Sequence, residues 1–298
     1  MKQYIGHALK GLAMGAANVI PGVSGGTIAF ITGIYERLIN SVKSFDLSVI
    51  KLLLSGQWKA FVEKTDFYFL FSILLGVAIS IVSLAKVLEL AFVNYETLTL
   101  AFFFGLIIAS ILGVGKQIGV FNVINIIFLL IGTAIAVAIA FLPPAEPDSS
   151  FLYLIVCGAV AISSMILPGL SGSYVLLLMG NYVLVMQGIS SFNFAILVPI
   201  AIGCIVGLVL FARLLSYLFK NFQDATVSLL TGFVAGSLVI IWPWKITQYM
   251  ALESGKEKAT GYDWYFPEMD NNFLIALGLM VIGFLLVWGI EKSAGTNN

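Results

Sequence analysis

Asn18-Val19-Ile20-Pro21-Gly22-Val23-Ser24-Gly25-Gly26-Thr27 and Met165-Ile166-Leu167-Pro168-Gly169-Leu170-Ser171-Gly172-Ser173-Tyr174 are the stretches on which the reading of this chain turns. Each is a Pro-Gly-x-Ser-Gly break with apolar sequence on both sides. Proline has no N–H and clashes with the preceding turn, and glycine is the weakest ordinary helix former. A helix is therefore expected to stop near Pro21 and again near Pro168. The flanks, at roughly 12–18 residues each, are short for a bilayer crossing. A re-entrant helical hairpin fits both segments, residues 6–42 and 151–189: in to mid-depth, turn, and out on the same side. Irregular backbone at that depth persists only when protein buries it or it lines a wet cavity.

Around these breaks the chain is apolar throughout. Of 298 residues, 60% are hydrophobic and 10% charged; a soluble domain carries about 25% charged residues. Residues 67–93, 98–114, 120–142, 194–219, 225–243 and 272–290 are long apolar runs, and a crossing helix needs roughly 20 such residues. The expected class is an all-α polytopic membrane protein with six full spans. Net charge is zero, so nothing points to nucleic acid. The N-terminus shows no cleavable signal pattern. Cys157 and Cys204 sit in apolar helices and read as small hydrophobes. His7 is the one histidine, which argues against a histidine-ligated metal.

The two breaks align. Pro21, Gly22, Ser24, Gly25, Gly33 and Tyr35 match Pro168, Gly169, Ser171, Gly172, Gly180 and Tyr182 at an offset of 168 − 21 = 147. Further on, Gly76 pairs with Gly203, Ala85-Lys86 with Ala212-Arg213, and Gly105 and Ser110 with Gly232 and Ser237, at 203 − 76 = 127. The first repeat is residues 1–142 and the second 151–292, each one hairpin plus three spans. Three is odd, so the copies are expected to lie inverted in the membrane.

Charge supports that layout. Lys2, Lys10, Arg37, Lys43, Lys51, Lys59 and Lys64 flank the first hairpin, placing its ends and both termini in the cytoplasm by the positive-inside rule. The loop Pro143 to Asp148 has no Lys or Arg and is expected outside, as is 244–271 despite Lys245, Lys256 and Lys258. Trp242, Trp244, Trp264 and Trp288 fall near span ends, as in an aromatic belt. Residues 43–66, absent from the second copy, read as an interfacial helix pair or as a solvated linker packed on the bundle.

Inverted repeats with discontinuous helices are a transporter pattern, in which half-helix N-termini present N–H groups to an anion. Ser24, Gly25, Gly26 and Thr27, with Ser171, Gly172 and Ser173, are the expected substrate-binding tips. The plain structural alternative is a pair of kinks with small residues for close packing. Lys86 and its mate Arg213 lie inside spans, where charge usually marks a pathway; the alternative is snorkelling to the interface. Glu36 and Arg37 close the first hairpin, as ligands or as a surface pair. No phosphate-binding loop with its lysine is present, so ATP hydrolysis is not expected. No cofactor is expected. Proton or sodium coupling stays open, with Glu36 and Glu89 the carboxylates placed for it. These residues alone reach an anion-handling transporter, not an enzyme.

Continued by Gly33-Ile34-Tyr35-Glu36-Arg37, the first break resembles the first signature of the PopT family, bacterial and archaeal polyprenyl-phosphate transporters. Leu167 to Ser173 with Gly180-Asn181-Tyr182 is similar to its second signature, and the resemblance covers essentially the whole chain. Where the first signature often carries Asp, this chain has neutral Asn18. The resemblance implies a plasma-membrane flippase that returns undecaprenyl phosphate from the outer to the cytoplasmic leaflet for carrier-lipid recycling, with a polyprenyl-phosphate lipid as partner. It leaves the oligomeric state open. A secondary transporter of a small soluble anion is the other reading.

Overall fold

The computed structural model describes residues 2–19, 24–251 and 257–295. The first third forms α1 (Lys2–Val19), α2 (Gly25–Ile31), α3 (Tyr35–Lys43), α4 (Leu47–Leu54), α5 (Trp58–Thr65) and α6 (Phe67–Gly115). Then come α7 (Val123–Ala140), α8 (Phe151–Ile166), α9 (Gly172–Leu178), α10 (Tyr182–Ser190), α11 (Phe194–Asn221) and α12 (Gln223–Ser237). The strands β1 (Lys245–Ala251) and β2 (Glu257–Trp264) precede α13 (Asn271–Gly295).

Element borders recur at the sequence offsets. Helix α2 plus 147 is α9 and α3 plus 147 is α10, residue for residue. Helix α6 starts 127 residues before α11, and its bend at Tyr95 (φ −144°, ψ 47°) falls 127 residues before Phe222 (φ −141°, ψ 49°), where α11 passes into α12. The turn expected between residues 93 and 98 is thus a single bent residue. Packing recurs too. A Cβ on Gly11 or Gly76 would lie 2.2 or 2.0 Å from the Ile73 or Ala8 carbonyl oxygen. The equivalent glycines, Gly158 and Gly203, meet Ile200 and Ile155 at the same 2.2 and 2.0 Å. Glycine at these crossings lets two backbones touch, which is how apolar helices associate when lipid is as apolar as leucine.

The last helix of each half packs on the other half. Helix α7 lies along α12, with Gly132 and Gly232 against the Leu229 and Leu129 carbonyls; α13 lies along the second part of α6, with Gly105 and Gly283 against the Met280 and Phe102 carbonyls. Helix α12 is largely enclosed, with ten buried residues from Thr226 to Ser237. Outer faces stay apolar and exposed, for example Ile124, Leu130, Ile205, Leu210, Leu274 and Ile282. Among the described residues, Leu90–Gly115, Val123–Ala140, Phe194–Asn221 and Asn271–Gly289 are long and apolar enough to cross a bilayer, and the pair α9–α10, bent by 114°, would make a fifth.

Three expectations change. The run 225–243 is helical only to Ser237, after which Val239, Ile240 and Ile241 make tight turns onto Gly236 and Ser237. Pro243 cannot continue a helix, and it disfavours helical geometry at Trp242. The loop 244–271 carries the one non-helical pairing among the described residues, an antiparallel hairpin from Lys245↔Trp264 to Ala251↔Glu257. Tryptophans fasten it: Trp264 Nε1 donates to the Val239 carbonyl at 2.8 Å and Trp242 Nε1 to the Tyr265 carbonyl at 3.2 Å. Each expected hairpin also bends twice. After the break comes a seven-residue helix, then a second turn at Gly33 (φ +69°) or Gly180 (φ +76°). The N–H of Ile34 reaches back to the Ala29 carbonyl and that of Asn181 to Leu176, both at 3.0 Å. This helix-end motif needs a left-handed residue, so glycine is required.

The linker does form two helices. Asp46 caps α4 through the Ser48 and Val49 amides and binds Lys64 at 2.9 Å. Val49 and Phe61 are buried while Phe45, Leu54 and Trp58 are exposed beside the lysines.

Candidate substrate site at the two helix breaks

Pro21 and Gly22 lie outside the described residues, but both sides of the first break are defined. Helix α1 ends at Val19, and Ser24 caps α2 with its hydroxyl accepting from the Gly26 amide at 3.1 Å. Asn18 Oδ1 accepts from the Gly25 amide at 2.7 Å, so α2 folds back against α1. The Thr27 amide bonds the Ser24 carbonyl at 2.9 Å. The three N–H groups expected to face an anion at this tip already have partners within the tip.

The first tip also clasps the second. Helix α8 ends at Ile166 because Pro168 follows, leaving the Met165 and Ile166 carbonyls without helical partners. The Ser24 hydroxyl donates to Met165 at 3.3 Å and the Tyr35 hydroxyl to Ile166 at 3.0 Å. The Gly169 amide donates to Thr27 Oγ1 at 2.8 Å. A Cβ on Gly26 would lie 2.6 Å from the Ile166 carbonyl oxygen, and one on Gly169 (φ +85°) 2.5 Å from that of Phe233. Ser24 and Thr27 are 3% and 0% exposed.

The second tip is open. Ser171 stands where Ser24 stands, yet its side chain does not cap α9. Its hydroxyl pairs instead with the Ser173 hydroxyl at 3.0 Å, and Ser173 is exposed. Gly172 is buried against Ala161 and Met165. With only seven residues in α2 and in α9, little helix dipole accumulates at either tip. The paired hydroxyls of Ser171 and Ser173 are thus the candidate side-chain anion donors at the open tip.

The expected cations divide. Arg213 is exposed on α11, 221 − 213 = 8 residues before the helix ends, and has no acidic partner among the described residues. Lys86 and Glu89 lie in α6, with side chains outside the described set. Arg37 is already held: Nε and Nη2 bind Asp66 at 2.6 and 3.0 Å, Nη1 is 3.4 Å from His7 Nε2, and the guanidinium lies 4.2 Å over the Phe69 ring. Glu36 is exposed beside it. Both line a polar cavity of about 520 Å³ with Gly33, Asn40, Lys64 and Asp66.

Comparison with known proteins agrees over the whole length. The profile of the VCA0040-like family, described as undecaprenyl phosphate translocase-like, matches residues 14–259, which include both breaks. The chain belongs to this translocase-like family. It is 36% identical over 98% of its length to a polyprenyl-phosphate transporter of Vibrio cholerae serotype O1, covering 97% of that protein. It is 30% identical over 80% of its length to a polyprenyl-phosphate transporter of Staphylococcus aureus, covering 86% of it. No solved structure matches the chain. With its long apolar helices, this member of the translocase-like family is an integral membrane protein.

Asn18 and the Tyr35 hydroxyl were not anticipated as tip residues. A lone amide in an apolar helix one residue before the run into Pro21 was the available signal for Asn18. For Tyr35 it was the match to Tyr182. Asn40, Ser41, Lys64 and Asp66 of the polar cavity meet only through the packing of α3 beside α5 and carry no local signature.

Proposed function

We propose that the protein is a flippase for undecaprenyl phosphate, carrying it from the outer to the cytoplasmic leaflet for reuse. Both termini lie in the cytoplasm, and the two repeats are inverted in the membrane. The observation that carries the reading is the meeting of two broken segments, Ser24 and Thr27 on Met165 and Gly169, in a chain otherwise built of apolar helices. Matched element borders and matched glycine crossings support the repeat from which the inversion is argued. The relatives' printed names supply the cargo class. A long isoprenoid tail stays in lipid while only the phosphate needs a polar path. Ser171 and Ser173 donate to that phosphate, and Arg213 supplies charge, since charge-assisted hydrogen bonds are about twice as strong as neutral ones. No bond in the cargo is made or broken, so this is transport and not catalysis. Glu36, exposed in the polar cavity, is the described carboxylate placed to take up a coupling proton or sodium ion.

The two ends differ in access. The turn at Gly33 opens onto the polar cavity. At Gly180 a Cβ would lie 2.4 Å from the Ala145 carbonyl oxygen. There Asn181 holds Asp148 by two backbone hydrogen bonds of 3.0 and 2.7 Å. This is the pattern of a transporter open towards the Arg37 side and closed under the 143–148 loop.

Reconstituted vesicles carrying a labelled polyprenyl phosphate test the reading. Protein-dependent loss of the label from the outer leaflet is expected, with Arg213→Gln slowing it several-fold and Arg213→Lys retaining most of it. Equal movement of neutral polyprenol would sink the proposal. The polar cavity at Glu36 and Arg37 favours a second reading, transport of a small soluble anion. That reading requires inorganic phosphate to enter the vesicles and to compete with the lipid.

A further inference from the structure

Beside the exchanged helices, away from both tips, a cleft of about 490 Å³ opens on the flank of the molecule. Its walls are Ala109 and Leu112 of α6, Leu129 of α7, Thr231 of α12, and Phe284 and Trp288 of α13. Gly115, Lys116 and Phe121 line its end. The walls are almost wholly apolar, and Lys116 is the one charged residue among them. Its ammonium is exposed and meets no carboxylate among the described residues.

The repeat shows why the cleft is open. The residues 127 positions on from Gly115 and Lys116 are Trp242 and Pro243, and the residue 127 positions before Thr231 is Phe104. At that other end Trp242 and Phe104 pack ring to edge with centroids 5.5 Å apart, and Trp244 closes on Trp242 at 5.4 Å. The pair Gly115 and Thr231 puts small residues where its counterpart puts two aromatic rings. A Cβ added at Gly115 would meet nothing within 4 Å. One end is stoppered; the other is vacant and carries a cation.

Depth separates the charged end of the cleft from the hairpin tips. The Gly119 amide donates to Asp224 at 3.1 Å, so the α6–α7 connector sits level with the start of α12. The second tip meets α12 at Phe233, 233 − 224 = 9 residues further, or about 14 Å along the axis at 1.5 Å per residue. A phosphate on Lys116 lies at the margin of the bundle, with its tail running up the cleft.

We propose that this cleft is a lateral holding site for a single-tailed lipid phosphate, namely a polyprenyl phosphate. Its tail lies between α7, α12 and α13 and its phosphate on Lys116. One apolar cleft of about 490 Å³ with one cation suits one tail and one anionic head, rather than the paired tails of a bulk phospholipid. The inference rests on the reading above that the cargo is a lipid phosphate.

The test uses the full chain in phosphatidylcholine nanodiscs and a polyprenyl phosphate bearing a diazirine in its tail. Labelling is expected on residues 109–121 and 284–288. Unlabelled polyprenyl phosphate should compete, and polyprenol or phosphatidylglycerol should not. Lys116→Glu and Gly115→Trp should each cut that labelling at least five-fold while the protein stays monodisperse. Labelling confined to the neighbourhood of Ser171 would overturn the holding site and leave the transport reading standing. Equal labelling from a diazirine phosphatidylglycerol would make the cleft a bulk-lipid groove and overturn it as well. Absence of labelling anywhere on the chain would count against both.

Discussion

The two broken segments carry the same local signals and end in opposite states. At the first, Ser24 caps its helix, Asn18 and Thr27 occupy neighbouring amides, and the tip is buried, while its outer turn at Gly33 is open. At the second, Ser171 caps nothing, Ser173 is exposed, and the outer turn at Gly180 is shut beneath Ala145 and Glu146. Matched helix borders and matched outer turns thus end in unequal access. The first tip clasps the second, while the hydroxyls of the second pair only with each other.

The most severe way to break this contrast is to separate the tips. Gly26→Val pushes a side chain into the Ile166 carbonyl, and overpacking costs roughly 1–3 kcal/mol and occasionally more; loss of a monodisperse, cooperatively melting protein is expected. Changing the second tip should do the reverse. Ser171→Ala with Ser173→Ala removes donors to a charged group, worth about 1.5–3 kcal/mol each, so transport should fall at least ten-fold with the melting temperature little changed. A double variant that melts early but transports normally would refute the division of labour.

The outer turns sharpen it further. Gly33→Ala and Gly180→Ala both force a left-handed residue, at about 1–2 kcal/mol. Only Gly180→Ala also meets the Ala145 carbonyl, adding roughly 1–3 kcal/mol. Denaturation midpoints of the two variants should differ in that order, and equality would mean the 143–148 loop does not seal the turn. Thr27→Val keeps the shape but leaves the buried Gly169 amide unpartnered, for about 1–3 kcal/mol, read as a lower melting temperature.

A pH-dependent effect concerns the stoppered end. Lys245 donates to the Ile240 carbonyl and lies 4.1 Å over the Tyr262 ring. Burial pushes its pKa down to about 8, against an opposing pull from Glu96. An unfolded lysine titrates near 10.4. Between about pH 8 and pH 10 the unfolded chain therefore holds the extra proton, and stability rises with pH in that window. Melting temperatures should climb there for the native protein and stay flatter for Lys245→Met.

Much of the fold was legible in the residues because local chemistry decides it. Pro168 ends α8, Asp46 and Asn122 start their helices by accepting backbone amides, and Gly11, Gly76, Gly158 and Gly203 mark helix crossings. Less of the site was legible. The turns at Gly33 and Gly180 were visible as matched glycines but not as bends, because a helix-end glycine and a packing glycine look alike in one sequence. The β-hairpin was hidden in a loop read only for its charges and its tryptophans, although Ile246, Tyr262 and Trp264 are strand formers.

The sequence by itself determined where the chain breaks, how often the pattern recurs and that the helices are made for lipid, since backbone donors, ring constraints and apolar runs act within a few residues. Only the tertiary structure decided which tip is closed, that Arg37 is held by Asp66 while Arg213 has no acidic partner among the described residues, and that α7 and α13 are exchanged between halves. Those outcomes depend on residues distant in the chain, 29 apart for Arg37 and Asp66 and more than a hundred for the two tips, meeting in one ion pair, one buried hydrogen bond or one helix face, and no local preference encodes such a meeting.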